Sequence, residues 1–159
     1  MNAHAQLDAH ACVLLRLGER RFALGADQVA ELAAPSRIFR FAHRTPGIDG
    51  VILRRGHVVP VCDVAEQLTG KKLEMRRFYL ITAKRRGPVL DWIALPVSGD
   101  CELIQADLTP AGAGDSPHVA AWLSHGGEVI EVLNLDVLIP QEEETPGVPR
   151  LPAKPEAQA

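Results

Sequence analysis

Residues 45–64 read TPGIDGVILRRGHVVPVCDV, and this segment decides the fold. Its apolar stretches 51–53 and 58–61 flank Arg54-Arg55-Gly56, which is the pattern of two β-strands joined by a tight turn. Gly50 permits close approach of other backbone or of a partner. The segment therefore predicts a β-hairpin whose exposed tip carries Arg55, a residue suited to paired hydrogen bonds with a carboxylate.

Proline and glycine punctuate the same segment. Pro46-Gly47 predicts a turn before the hairpin. Pro60 lacks a backbone donor, which predicts that its strand lies at a sheet edge or contains a bulge. An exposed edge beside a glycine and an arginine is a reasonable docking site for another protein.

Three further hairpins follow from the same alternation of apolar stretches and glycine-containing turns. Their strands are predicted at 12–17 with 21–24, at 78–83 with 89–95, and around 123 with 129–133. The turn between strands 78–83 and 89–95 is predicted at 84–87. Helical patterns are scarce. One short helix is predicted over 27–32, capped by Asp27, and another over 134–139, capped by Asn134. The chain is thus expected to be mainly all-β.

A weak internal repeat runs through the chain. Residues 24–32 align with 95–103, and residues 56–61 align with 127–132, so both alignments use an offset of 71 positions. Each alignment has only three identities, but the shared offset favours duplication. Two similar β-subdomains of about 65 residues each are too small to be stable alone, so we expect them to pack together and leave a groove at their junction.

Composition limits the domain organisation and the function. The chain has 159 residues, 47% of them hydrophobic, with a formal net charge of −3 and three widely spaced cysteines. The acidic balance argues against a general nucleic-acid binder, and the cysteines argue against a disulfide framework, so a cytoplasmic protein is expected. No transmembrane segment or secretory signal is evident. Five of the twelve prolines fall in residues 140–159, which predicts a disordered tail; residues 1–10 are expected to be frayed, and 11–139 to form the folded body.

Little in the sequence indicates catalysis. Cys62 with His57 is the best local cluster, but on a strand the two would point to opposite faces, so a buried structural cysteine is favoured over a hydrolase or transferase nucleophile. Cys62 with His43 or His118 lacks the spacing of a zinc site. We expect no catalytic residue, cofactor or metal. The basic turns leave open a small barrel that binds nucleic acid, although seven aromatic residues provide few stacking platforms.

The segments described above resemble the CheW-like domain, the bacterial chemotaxis coupling family. The family pattern is a glycine with an apolar strand, Arg-Gly, a valine-rich strand with proline, and an aspartate. The matching positions here are Gly50-Val51-Ile52, Arg55-Gly56, Val58 to Val61 and Asp63-Val64. Residues 22–32 resemble the family's second strand and its Val-x-Glu turn, and 127–138 resemble its closing strand and helix. The resemblance covers 11–139, more strongly in the first half.

This resemblance implies two packed five-stranded SH3-like β-barrels and a non-enzymatic adaptor. Such adaptors join the cytoplasmic tip of methyl-accepting chemoreceptors to the regulatory domain of the histidine kinase CheA, at receptor arrays on the inner membrane. The positions that match receptor- or kinase-binding residues are Val29, Glu31, Gly50 and Arg55. We expect Arg55→Ala or Gly50→Asp to weaken coupling without unfolding the protein.

The sequence also departs from the family. Leu53-Arg54 stands where the family has Asn-Leu, and Leu95-Pro96-Val97 lacks an aspartate usual in the second half. These departures favour, as an alternative, a diverged scaffold in another receptor–kinase system such as twitching motility.

Overall fold

The computed structural model describes residues 10–40 and 46–139, and strands dominate that part of the chain. The strands are β1 (His10–Leu17), β2 (Arg20–Gly25), β3 (Val29–Ala33), β4 (Gly50–Arg54), β5 (His57–Val61), β6 (Phe78–Arg86), β7 (Val89–Val97), β8 (Glu102–Ala106), β9 (Leu108–Pro110), β10 (Val119–His125) and β11 (Glu128–Leu133). A 3-10 turn (Ala26–Gln28), α1 (Ala65–Thr69) and α2 (Leu135–Leu138) complete the elements. The expected all-β class is confirmed.

The strands form two sheets, which we name the first and second barrels. The first barrel has the order β8-β1-β2-β11-β10-β9, and the second has the order β3-β6-β7-β5-β4. In the first barrel the end strand β8 contacts β10, which is next to the other end of the sheet, and in the second barrel an ion pair joins the end strands β3 and β4. The two-barrel fold is confirmed, with the short strand β9 as a sixth strand in the first barrel.

The barrels are not successive halves of the chain. The hairpin β1–β2 pairs with β8 and β11, from the C-terminal half, while β6–β7 pairs with β3 and β5, from the N-terminal half. Of these four pairings between the halves, β2 with β11 and β5 with β7 are parallel, and β1 with β8 and β3 with β6 are antiparallel. Each half therefore contributes one hairpin to the other half's barrel, an exchange that the repeat did not reveal.

The strand register follows the repeat. Val61 lies opposite Ala94, and Val132 lies opposite Ala23, so each residue of one pair is 71 positions from a residue of the other. Gly50 pairs with Val61 as Ala121 pairs with Val132, at the same offset. The two halves thus share a pairing geometry as well as a sequence pattern, and this agreement supports an ancestral duplication.

All four predicted hairpins form, with two adjustments. Lys84 to Arg86, predicted as a turn, extend β6, because Lys84 pairs with Asp91 and the turn is displaced to Gly87-Pro88. The strand with Pro60 lies inside the second barrel and not at its edge. Pro60 is tolerated there because pairing of β5 with β7 begins only at Val61.

The predicted helix over 27–32 is wrong beyond its first turn. Only Ala26–Gln28 is helical, and the Asp27 side chain does not cap it. Val29–Ala33 is a strand because pairing with β6 satisfies its backbone and buries Ala33. The second predicted helix is confirmed as α2, where the Asn134 side chain accepts from the Asp136 backbone N–H.

Three apolar clusters organise the interior. One fills the first barrel around Leu14, Leu123 and Ile130, and another fills the second around Ile52, Val59 and Ile81. The largest, which we name the seam core, combines residues of both barrels and both helices, including Phe22, Leu80, Leu95, Leu68 and Leu135. The barrels therefore share one buried junction.

Three segments lie outside the described residues: 1–9, 41–45, which includes His43, and 140–159. The expected tail, 140–159, lies outside the described residues, as does the expected frayed N-terminus except for His10, which begins β1. Among the helices in the described ranges, none is long and apolar enough to cross a bilayer.

Candidate functional site

Glu31 and Arg54 connect the two outer strands of the second barrel. Arg54 on β4 donates from Nε and Nη2 to the two carboxylate oxygens of Glu31 on β3, at 2.8 and 2.9 Å. The Glu31 side chain is only 18% exposed and that of Arg54 is 32% exposed. This two-pronged pair is the geometry in which arginine binds a carboxylate most strongly. The ion pair joins β3 and β4, the two end strands of the sheet, between which no backbone pairing is described.

Arg55 reaches the same carboxylate from the tip of the β4–β5 hairpin. Its Nε and Nη2 lie 3.4 and 3.3 Å from the Glu31 oxygens, and its side chain is 68% exposed. Arg55 and Gly56 have φ values of 52° and 79°. Positive φ at both central residues is typical of the type I′ turn of two-residue hairpins. We name Glu31, Arg54 and Arg55 the arginine–glutamate triad.

The triad keeps the carboxylate ionised. Hydrogen bonding from Arg54 is the largest cause of a pKa for Glu31 that is lowered from 4.5 to about 2, with Arg55 adding to the effect and partial burial opposing it. The same contact raises the pKa of Arg54. The site is therefore a permanently charged group of two cations and one anion at neutral pH.

Gly50 is buried at the start of β4, the strand that carries Arg54 at its other end. Its φ is 156°, and a Cβ added there would lie 2.5 Å from the Phe39 carbonyl oxygen and 2.7 Å from Ile38 Cγ2. The close approach allows Phe39 and Val51 to exchange backbone hydrogen bonds. Gly50 thus accommodates the chain's own backbone, and Gly50→Asp is expected to disturb the fold, contrary to the sequence-based expectation.

The structure brings together two of the four predicted site residues. Glu31 and Arg55 are in direct contact, while Val29, two residues earlier on β3, is half-buried against the seam core. Arg54, the strongest partner of Glu31, was predicted only as part of a basic turn. The sequence placed Arg54 at the end of the strand that enters the hairpin turn, where it pairs with His57. It gave no indication that the ion-pair partner of Arg54 lies on a strand 23 residues earlier.

An aromatic stack borders the hairpin. The His57 ring lies 5.2 Å from the Trp92 ring, with an interplanar angle of 18°. Trp92 also packs against the interior of the second barrel. The tip of the hairpin is thereby held against β7, so the triad is presented by a packed element.

The alternative of thiol catalysis has no support in this geometry. Cys62 is fully buried in the seam core, whereas His57 is exposed on the hairpin. Burial raises the pKa of the Cys62 thiol to about 11, so the group is a neutral thiol at neutral pH and not the thiolate that nucleophilic attack requires. Within 10–40 and 46–139, no group of three or more His, Cys, Asp or Glu side chains is arranged to hold a metal ion.

Many of the basic residues are engaged in ion pairs. Arg21 contacts Glu128, Arg20 contacts Glu131, Lys84 contacts Asp136, and Arg76 contacts both Asp49 and Asp63. Each pair reduces the positive potential that a phosphate backbone would need. The second alternative, a nucleic-acid-binding barrel, gains no continuous basic groove from these residues.

Comparison with known proteins addresses the fold and the family. A model of the CheW-like domain family matches residues 11–143. The crystal structure of the scaffolding protein TtCheW from Thermoanaerobacter tengcongensis superposes with a TM-score of 0.65 at 21% sequence identity, over 79% of this chain and 84% of that chain. No curated protein sequence gives a significant match. The structural likeness concerns the fold, whereas the family model spans both barrels, and the chain therefore belongs to the CheW-like domain family.

Proposed function

We propose that this protein is a non-enzymatic adaptor that couples the cytoplasmic tip of a methyl-accepting chemoreceptor to the regulatory domain of a CheA-type histidine kinase. The observation that carries the proposal is the family match over 11–143, which includes both barrels. Such an adaptor would act in the cytoplasm, at receptor arrays on the inner membrane, because the receptor tip and the kinase lie there.

The triad supports a receptor contact at the second barrel. Glu31 and Arg55 occupy the positions that the family resemblance assigns to partner binding, and the structure places them in contact. A fixed charged group on a hairpin that is packed from behind suits the recognition of a polar helical tip. Gly50 and Val29 lie on the same two strands as the triad, Gly50 against the Phe39 backbone and Val29 against the seam core, and we assign them the role of shaping these strands.

Exposed apolar side chains support a second, separate contact. Leu53 and Val58 face one another across β4 and β5 and are 57% and 61% exposed. On the first barrel, Val129 is exposed at the position 71 residues after Val58. Apolar patches of this small size fit the transient interfaces of signalling proteins. We assign them to the kinase regulatory domain as part of the proposal.

A related pathway is the second candidate. Arg54, which replaces a family leucine, is the main partner of Glu31 here. A changed residue at the centre of the binding surface favours a receptor different from those of standard arrays. Type IV pilus-based twitching motility is such a receptor–kinase system, and it would use the same two surfaces.

The test is recovery of the partners from the native cell. Tagged full-length protein should co-purify a chemoreceptor and a CheA-type kinase, and the identity of the receptor distinguishes chemotaxis from twitching motility. Recovery of neither class would refute the proposal. Salt-dependent retention on heparin or single-stranded DNA, without either partner, would instead favour the nucleic-acid alternative.

A further inference from the structure

The two arginines of the triad differ in their hydrogen-bond distances to Glu31 and in their exposure to solvent. Arg54 binds Glu31 through two short hydrogen bonds, at 2.8 and 2.9 Å, and both side chains are mostly enclosed. Arg55 lies 3.3 and 3.4 Å from the same oxygens, with more than two thirds of its side chain in solvent. Good N–H···O bonds are near 2.9 Å, so the Arg55 contacts are weak. The Glu31 carboxylate therefore accepts its two strong hydrogen bonds from Arg54, and Arg55 adds only two weak ones.

The charge of the triad is unbalanced. Two guanidinium groups share one carboxylate, which leaves one positive charge in excess. Among the described residues, Glu31 is the ion-pair partner of both arginines, and no second carboxylate is within ion-pair distance of either. The excess charge belongs to the more exposed and more loosely bound group, which is Arg55.

The backbone at Arg55 supports the same reading. Its φ of 52° makes it the non-glycine residue with a left-handed conformation in the described part of the chain. Asparagine or glycine fits such a turn position with less strain. Strained positions of this kind cluster at binding sites, and this agrees with a binding role for the Arg55 side chain.

We propose that Arg54 and Arg55 divide two roles, with Arg54 holding Glu31 to close the second barrel and Arg55 leaving Glu31 to bind a carboxylate on the partner protein. This inference rests on the proposed adaptor function and adds the chemistry of the contact. An exposed guanidinium can form a two-pronged pair with an incoming aspartate or glutamate. Arg54 continues to neutralise Glu31 while Arg55 is engaged, so binding need not open the barrel.

The first test measures the roles without any partner. The ionisation of Glu31 is followed by carbon-detected NMR of its carboxyl group in the wild type, in Arg55→Ala and in Arg54→Ala. We expect Arg54→Ala to raise the pKa of Glu31 clearly more than Arg55→Ala does, and to lower the Tm, whereas Arg55→Ala leaves the Tm nearly unchanged. Equal effects of the two variants on Glu31 would overturn the division.

A variant of Arg54 that does not fold would prevent the NMR titration. Arg54→Lys then replaces it, because lysine keeps the charge but cannot form the two-pronged pair. We expect Arg54→Lys to lower the Tm, whereas Arg55→Lys does not. A Tm that falls equally in both lysine variants would contradict the proposal.

The second test measures binding to the cytoplasmic signalling fragment of a methyl-accepting receptor from the same cell. By isothermal titration calorimetry, we expect Arg55→Ala to weaken the affinity roughly tenfold, as loss of an interfacial charge pair does. Arg21→Ala is the matched control, since Arg21 is also an ion-paired arginine beside a hairpin turn, but on the first barrel. Its affinity should equal that of the wild type.

Replacing each acidic residue of the receptor tip by alanine then locates the carboxylate. One such variant should show no further loss when combined with Arg55→Ala, and Arg54→Lys should not mimic that coupling. Binding of the wild type without any effect of Arg55→Ala would overturn the inference while leaving the adaptor function intact. Failure of the wild type to bind any receptor fragment or kinase regulatory domain would refute the function itself.

Discussion

At the scale of single residues, the Glu31 carboxylate of the triad joins two strands of the second barrel. Glu31 is 18% exposed and has a bidentate partner, so its carboxylate is bound more tightly than in an ordinary surface pair. The neighbouring Gly50 shows the opposite kind of constraint, since it is the absence of a side chain that matters there. The family resemblance predicts partner binding at both residues, and the structure shows a charged contact at Glu31 and a steric constraint at Gly50.

The lowered pKa of Glu31 predicts a pH-dependent stability. Because this pKa falls from 4.5 to about 2 on folding, the stabilisation is fully present above pH 4.5 and is lost as the pH falls through about 2. Allowing for solvent screening, we expect Glu31→Gln to lower the free energy of unfolding by about 1 kcal/mol at pH 7. Urea denaturation from pH 7 to pH 2 should show this difference shrinking below pH 4.5.

The control for this measurement is Glu128→Gln. Glu128 pairs with Arg21 at an exposed site, where removal of the pair is expected to change stability by less than about 0.5 kcal/mol. A difference between wild type and Glu31→Gln that stays constant across the pH range would contradict the assignment.

Gly50→Ala is predicted to be strongly destabilising. The added methyl group would lie 2.5 Å from the Phe39 carbonyl oxygen, so either the Phe39–Val51 bridge or β4 must move. We expect a loss of about 2 to 4 kcal/mol by chemical denaturation. Gly127→Ala is the matched control, because Gly127 also has positive φ, 81°, but open space around its Cα. Its cost should be about 1 kcal/mol, from backbone strain alone; equal costs would exclude the steric explanation.

At the scale of elements, an equivalent side-chain hydrogen bond lies at the start of each short helix, although Asp63 precedes the N-cap Val64 and Asn134 is itself the N-cap. Asp63 accepts from the Ala65 N–H, and Asn134, 71 residues later, accepts from the Asp136 N–H. Helix α1 was not predicted, although Asp63 before it and Gly70 after it are start and stop signals. At five residues, such a helix depends on packing and on the hydrogen bonds at its ends.

The side chains of Asp63 and Asn134 are predicted to differ in their contribution to stability. Asp63 also binds Arg76 at 2.8 Å and its side chain is only 11% exposed, whereas within the described residues the Asn134 side chain accepts only from the Asp136 backbone N–H. We expect Asp63→Ala to cost about 2 to 3 kcal/mol, because the hydrogen bond from the Ala65 N–H and the ion pair with Arg76 are lost together, and Asn134→Ala to cost about 1 kcal/mol. Thermal unfolding of both variants measures the difference, and equal losses would show that Arg76 adds nothing.

At the scale of the whole molecule, the exchanged hairpins make the barrels interdependent. The seam core draws Phe22 from the first barrel, Leu80 from the second, and Leu68 and Leu135 from the helices. Removing either hairpin would open both a sheet and this core. An adaptor with two binding surfaces benefits from such a junction, because the surfaces keep a fixed relation to one another.

We therefore predict a single cooperative unfolding transition. Each barrel contains one tryptophan, Trp92 on β7 and Trp122 on β10. The variants Trp92→Phe and Trp122→Phe report on the first and second barrel, respectively, through the tryptophan that remains. Fluorescence and circular dichroism should give the same urea midpoint within each variant. A fluorescence midpoint that precedes the circular dichroism midpoint in one variant would show that its barrel unfolds alone.

Much of the local structure was predictable, because turns and caps depend on nearby residues. Glycine with two flanking apolar stretches predicted all four hairpins, and Asn134 predicted the start of α2. The family pattern around Arg55-Gly56 predicted the two-barrel fold and one face of the candidate site. The helix over 27–32 was wrong because its local pattern was outweighed by backbone pairing with β6, a segment about 50 residues away.

The sequence by itself determined the hairpins, the 71-residue repeat and the family, since each depends on the type and spacing of residues along the chain. Only the tertiary structure decided which barrel each hairpin joins and that Arg54 is the principal partner of Glu31. These features depend on contacts between distant segments, and many arrangements would satisfy the same local preferences. The observed arrangement is selected because it buries the seam core and pairs the exchanged strands simultaneously.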